Sequence, residues 1–183
     1  MNPNLVLLAL AQGLFLTNNI IFIAINGLVG LSMAPLGWMA TLPVMGYVVG
    51  GAASTSLVAR TQERYGRKVA FQIGLAVGFI SCVLCALAAL THQFWGLVFA
   101  TFVAGYYNAN AQLYRFAAAE LAPTAKEKAV SLVLAGGLIG AIMGPYIATH
   151  TKNLLDTPFA GAYVTLCVVA VISAIVISFI QFP

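Results

Sequence analysis

The sequence predicts an all-α membrane protein, a single bundle of six transmembrane helices over residues 1–183. Three observations carry that prediction. Hydrophobic residues make up 62% of the chain and charged residues 7%, with a mean hydropathy of +0.99, whereas soluble domains hold roughly a quarter charged residues. The apolar stretches run for about 20 residues, long enough to cross a bilayer as helix. They lack the alternation of a barrel strand, and lipid leaves the backbone only helices or closed barrels in which to satisfy its own hydrogen bonds.

The helices are expected at 5–30, 36–59, 68–90, 94–121, 129–149 and 159–181. The first follows Met1-Asn2-Pro3-Asn4, with no Lys or Arg before it; it is too long and too rich in Asn for a cleavable signal peptide and reads as a retained helix. The gap after it is uncharged, whereas the next gap holds Arg60, Glu63, Arg64, Arg67 and Lys68. The third helix is followed only by His92, the fourth by Glu120, Lys126, Glu127 and Lys128, and the fifth by His150, Lys152 and Asp156. The two basic gaps lie on one side, and the positive-inside rule puts them and both termini in the cytoplasm. Trp38 and Trp95 then fall at the outer ends of the second and fourth helices, where an indole anchors at the headgroups.

The net charge of +4 is spent on topology. It forms no aromatic-interleaved basic patch, and a nucleic-acid partner is not expected. Cys82, Cys85 and Cys167 sit inside apolar runs and lack the second ligand pair of a zinc site; they read as small buried apolar residues. There is no His-Glu-x-x-His, no Gly-x-Ser-x-Gly and no carboxylate pair at depth, so neither an enzyme nor a metal or cofactor is expected.

Polar side chains at membrane depth carry more information, because each needs a partner or a wet cavity. Gln12, Asn19 and Asn26 recur every seven residues in the first helix, with Asn18 beside them, nearly one face with a drift of about 20° per heptad. In the fourth helix Thr101, Gly105, Asn108, Gln112 and Arg115 make one continuous face, flanked by Tyr106, Tyr107, Asn110 and Tyr114. Two readings fit these stripes, interhelical hydrogen bonds or a polar cavity. The donors and acceptors suit a small organic solute, anionic if Arg115 takes part. Solute contact is expected at Asn19, Asn26, Tyr107, Asn108, Gln112 and Arg115. Arg115 lies about 9 Å by helical rise from the cytoplasmic end, where snorkelling or an ion pair with Glu120 are its other roles. Small residues at four-residue spacing, Gly46, Gly50 and Ser54, Gly74 and Gly78, and Gly136, Gly140, Gly144 and Ala148, serve either static packing or a sliding seam.

The segment Glu63-Arg-Tyr-Gly-Arg-Lys68 resembles the Asp-Arg-x-Gly-Arg-Arg/Lys loop of the major facilitator superfamily, with Glu63 for Asp and Ala59 for the usual opening Gly. The resemblance implies a cytoplasmic gate formed by Glu63, Arg64, Gly66, Arg67 and Lys68. A second stretch, Glu120-Leu-Ala-Pro123 followed by Gly140-x-x-x-Gly144-Pro145, looks like the family's fourth-to-fifth helix junction. Its Gly-Pro pair resembles an antiporter motif whose later glycines are here Ala148 and Thr149. Gly136, Gly140, Gly144 and Pro145 are accordingly expected to pack helices. The Arg frequent in the family's fourth helix aligns with Thr101, so no proton relay is carried to it.

What the resemblance implies is one half of a twelve-helix carrier in a bacterial inner (cell) membrane. It would move a small solute by alternating access against a second six-helix bundle, either a missing C-terminal half or a second chain. The partners expected are thus the solute, membrane lipid and that bundle. The alternative is a non-transporting scaffold or receptor module of the same fold, in which the polar stripes are satisfied helix to helix.

Overall fold

A computed structural model describes residues 2–156 and 158–183. Every regular element in it is helical: α1 (Pro3–Met33), a short 3-10 turn (Gly37–Thr41), α2 (Leu42–Leu90), α3 (Phe94–Ala111), α4 (Tyr114–Leu121), α5 (Lys126–Thr151) and α6 (Ala160–Phe179). Four stretches are long and apolar enough to cross a membrane, Pro3–Met33, Gly37–Leu90, Lys126–Thr151 and Ala160–Phe179.

Local chemistry sets the ends. The Asn2 side chain accepts the Asn4 N–H at 3.0 Å, and Pro3 opens α1 where its missing donor costs nothing. Pro35 stops the helix by holding Ala34 extended, at φ −63° and ψ 127°.

Two expected boundaries are corrected. The second and third segments, placed at 36–59 and 68–90, are joined without a loop, because residues 60–65 continue the helix. Arg, Gln and Glu are good helix formers, so the charges mark where lipid ends and not where the helix ends. The break is a single residue, Gly66, at φ 77° and ψ 169°, a region reached almost only by glycine. It divides α2 into arms 42–65 and 67–90. The fourth segment, placed at 94–121, is interrupted at Gln112 and Leu113, where the Leu113 N–H bonds back only three residues to the Asn110 carbonyl at 3.1 Å. Such an overwound turn separates α3 from α4.

α3 lies between the two arms of α2, and glycines let it approach both. A Cβ on Gly50 would meet the backbone of Phe102, and one on Gly105 the backbone of Gly50 and Gly51. On the other arm, Gly74 leaves room for Asn110 and Gly78 for the Tyr107 ring. α1 is central and touches α5 and α6. The buried apolar residues of the bundle include two clusters stacked along it, to both of which α1 contributes. One includes Leu8, Phe15, Phe71, Leu75, Tyr114 and Ile177, the other Ile21, Phe22, Tyr47, Leu97, Tyr163 and Leu166. Between them, in α1, stand Thr17, Asn18 and Asn19. The outward surface is apolar, with Ile142 70%, Ile139 67% and Phe99 65% exposed, a surface suited to lipid.

Candidate functional site

The polar residues of α1 do not share one fate. Asn26 is fully buried; its Nδ2 donates to the Phe22 carbonyl at 2.9 Å, and its Oδ1 accepts from the Tyr163 hydroxyl at 2.9 Å. Asn18 is buried and donates to the Leu166 carbonyl of α6 at 3.1 Å. Asn19 is half-buried, and its Oδ1 accepts from the Tyr47 hydroxyl at 2.6 Å. Tyr47 itself is buried against the Phe22 ring, with centroids 4.8 Å apart.

The stripe on α3 divides as well. Thr101 is buried in the seam with α2 and bonds the Val98 carbonyl at 2.8 Å, while Gln112 at the helix break and Arg115 beyond it are exposed. The Arg115 guanidinium sits 5.2 Å from the Phe116 ring centroid. Between these extremes are two buried polar atoms without any hydrogen-bond partner among the described residues, the Tyr107 hydroxyl and Asn108 Oδ1. Leaving such a group unpaired costs about 1–3 kcal/mol. The Tyr107 ring is held edge-on by Phe15 at 5.6 Å, and Asn108 lies beside Gly51, whose absent Cβ would stand 3.3 Å from Nδ2. The predicted contact set thus resolves into Asn19, Tyr107 and Asn108 around the middle of the bundle, Asn26 bound within it, and Gln112 and Arg115 at its edge.

At the basic end, Arg67 makes a two-pronged contact with Glu120, Nη2 to Oε1 at 2.6 Å and Nε to Oε2 at 3.1 Å, the geometry a guanidinium fork favours. The Glu120 carboxyl is held below its ordinary value first by that hydrogen bond, which outweighs the opposing effect of burial, with the charge of Arg67 adding a lesser pull in the same downward direction. Glu120 therefore pairs with Arg67 rather than with Arg115. Arg67 also donates through Nη1 to the Gln62 amide oxygen. Gln62 Nε2 passes the chain on to Asn110 Oδ1 at 3.0 Å, and Asn110 Nδ2 ends it on the Ala70 carbonyl at 2.6 Å. This series spans the Gly66 break and ties both arms of α2 to α3 and α4. Lys68 bonds the Ser178 carbonyl of α6 at 2.6 Å. Glu63 and Arg64 are exposed and enter no ion pair among the described residues.

The stripe of α5 packs inside the bundle. A Cβ on Gly136 would come within 2.9 Å of the Ala9 carbonyl carbon, one on Gly140 within 2.7 Å of the Gly13 carbonyl carbon, and one on Gly144 within 2.9 Å of Ile20 Cβ. Thr17 fastens the same seam by donating toward Gly13 O at 2.9 Å and Gly140 O at 3.1 Å. Pro145 is on the exposed side.

Sequence reasoning did not single out Tyr47, Tyr163 or Gln62. Their signal was faint: a tyrosine inside an apolar run reads as bulk until its hydroxyl is seen to reach an asparagine.

A family model described as Major Facilitator Superfamily matches residues 5–182. The chain is similar to Riboflavin transporter RfnT of Brucella anthropi, 32% identical over 182 residues, which are 98% of this chain and 46% of that protein. It is also similar to Uncharacterized MFS-type transporter YdeG of Bacillus subtilis, 26% identical over 124 residues, 67% of this chain and 29% of that protein. The chain spans less than half the length of either relative.

Proposed function

The chain belongs to the Major Facilitator Superfamily and is an integral membrane protein, and from that premise we propose that it forms a six-crossing bundle of a solute carrier. The crossings are α1, the two arms of α2, α3, α5 and α6, with the basic end and both termini in the cytoplasm. The bundle rocks against a second one around a site near the midplane, alternately exposing it to each side. α4 emerges at the basic end, where the chain from Glu120 through Arg67 and Gln62 to Asn110 acts as the cytoplasmic latch, with Glu63, Arg64 and Lys68 around it.

The observation that carries this reading is the pair of unpaired buried polar atoms on Tyr107 and Asn108. A bundle built only to hold itself together has no reason to bury them, because in lipid each would be better replaced by carbon. The solute class is a small, largely planar organic molecule of the flavin type. The likeness to a riboflavin transporter across 98% of the chain supports this class. Gln112 and Arg115, exposed on the approach from the basic end, meet the solute there, whereas Asn26 supports the site from behind.

Uptake of radiolabelled riboflavin by cells that lack their own uptake system and express the natural gene product tests the proposal. Accumulation well above vector controls is expected, and accumulation equal to the controls overturns the flavin reading. The bonds of Asn18, Asn26 and Asn110 favour a second reading, a non-transporting module whose polar residues serve only assembly. Asn108→Leu separates the two: a carrier loses uptake with normal assembly, and a scaffold loses assembly.

A further inference from the structure

We propose that a groove between α5 and α6 holds one acyl chain of an anionic phospholipid, whose headgroup is met by Lys128. α5 and α6 both pack on α1 but barely touch each other, so a strip of the central helix is left open between them. Val6 and Leu10 lie on that strip, 42% and 51% exposed although α1 is the most enclosed of the four long apolar stretches. The result is a groove of about 560 Å³, a size that holds a small organic molecule. Val6, Leu10 and Leu14 form its floor, Leu132, Ile139 and Met143 its α5 wall, and Val169 bounds it from α6.

The lining selects hydrocarbon. Thr17 is the one polar side chain among the described lining residues, and its hydroxyl is already directed at the Gly13 and Gly140 carbonyls, at 2.9 and 3.1 Å. A polar solute finds no partner there and stays away, whereas a methylene chain leaves nothing unsatisfied. The α5 wall, from Leu132 to Ile147, rises about 22 Å. That is enough for the chain of one leaflet, which fills half of a hydrocarbon core about 30 Å thick. Beyond Val169, α6 continues into an exposed apolar face of Ile172, Ile175 and Phe179, so the groove opens onto a surface suited to lipid.

The charge at its mouth is positive. α5 is one continuous helix from Lys126 to Thr151, and its spacing extends the line of Met143, Ile139, Ala135 and Leu132 by one more turn to Lys128. Lys128 is exposed and enters no ion pair among the described residues. Glu127 falls about 100° around the helix from Lys128, off that line. A headgroup with a phosphate and no cation of its own complements this end of the groove.

The natural gene product, reconstituted in phosphatidylcholine vesicles, tests the proposal. The vesicles carry a trace of phosphatidylglycerol with a photoactivatable diazirine on its acyl chain, or the same trace of a phosphatidylcholine analogue, and mass spectrometry locates the labelled residues. Ile175 is the reference, an α6 residue 53% exposed and outside the groove. In the wild type the phosphatidylglycerol analogue is expected to label Leu10 and Met143 about threefold or more above Ile175. It should also label them about fivefold more than the phosphatidylcholine analogue does, the effect of one lysine near an anionic lipid. Ala135→Phe, which sets a ring in the groove, should remove the excess over Ile175. Lys128→Gln should bring the two lipids to within about twofold. Labelling of Leu10 and Met143 no greater than that of Ile175 overturns the groove as a lipid site; complete protection of both residues overturns it in favour of cover by the second bundle. Equal labelling by the two lipids in the wild type, or a preference that survives in Lys128→Gln, overturns the headgroup assignment. The wild-type comparisons decide both questions even if a variant does not fold.

Discussion

Substituting Gly66 with Ala isolates one physical term. A Cβ at this position meets nothing within 4 Å, so no clash and no lost contact accompanies the change. What remains is the backbone. At φ 77° and ψ 169° a residue with a Cβ occupies a region essentially closed to it, at a cost of order 1–3 kcal/mol. By the scaling for chains of 150–250 residues, in which 1 kcal/mol moves the melting temperature by about 2–4 °C, Gly66→Ala should melt roughly 2–12 °C lower. Gly37 supplies the control: a Cβ there also meets nothing, and its φ is not positive, so Gly37→Ala should melt within about 2 °C of the wild type. Gly66→Asn sharpens the test. Asn rescues glycine in the left-handed helical region, near ψ 47°, but not near ψ 169°, and should do no better than Ala. Thermal unfolding in detergent, followed by tryptophan fluorescence, measures all three. A Gly66→Ala protein that melts with the Gly37→Ala control, or a rescue by Asn, would refute the assignment of the break to glycine's backbone freedom.

Three further predictions rest on other contacts. Gly140→Ala places a Cβ against the Gly13 backbone; forcing α1 and α5 apart should cost about 1–3 kcal/mol. Gly27→Ala, with Val44 Cγ2 at 3.8 Å, should be neutral, and melting temperatures compare the two. Because Arg67 holds the Glu120 carboxyl below its ordinary 4.5, the pair's contribution is complete above that pH and is lost as pH falls through the folded value. The stability difference between wild type and Glu120→Gln should therefore shrink below pH 4.5, and a difference that grows on acidification contradicts the pairing. Tyr47→Phe keeps the ring against Phe22 and removes the hydroxyl that holds Asn19. Riboflavin affinity should fall about fivefold, the worth of one hydrogen bond, as read by flavin fluorescence quenching.

The helical class, the lipid environment and the turn at Gly66 were legible in the sequence because each depends on local composition: long apolar runs, basic gaps and a glycine between charges. The partners were not. Gln62 and Asn110 are 48 positions apart, and Asn26 and Tyr163 are 137 apart; nothing in periodicity chooses among distant side chains that could meet. The heptad stripe of α1 shows the limit well. Asn19 and Asn26 were expected on one wet face, yet the helix turns by about 20° over that interval and its neighbours change along its length. Asn19 meets the tip of Tyr47 from α2, and Asn26 meets Tyr163 from α6. The stripe on α3 failed differently, because the overwound turn at Leu113 ends the regular 3.6-residue register that the spacing assumed. The Arg67 to Glu120 pair needed α4 to fold back beside Gly66, a tertiary event that charge counting alone could not assign between Arg67 and Arg115.

The most direct test of the carrier reading is riboflavin counterflow in proteoliposomes containing the natural gene product, wild type against Asn108→Leu at equal reconstitution. The account predicts rapid exchange of labelled for unlabelled riboflavin by the wild type and a loss of at least tenfold in the variant. Exchange that proceeds unchanged in Asn108→Leu would contradict the placement of the solute site at the unpaired atoms of α3.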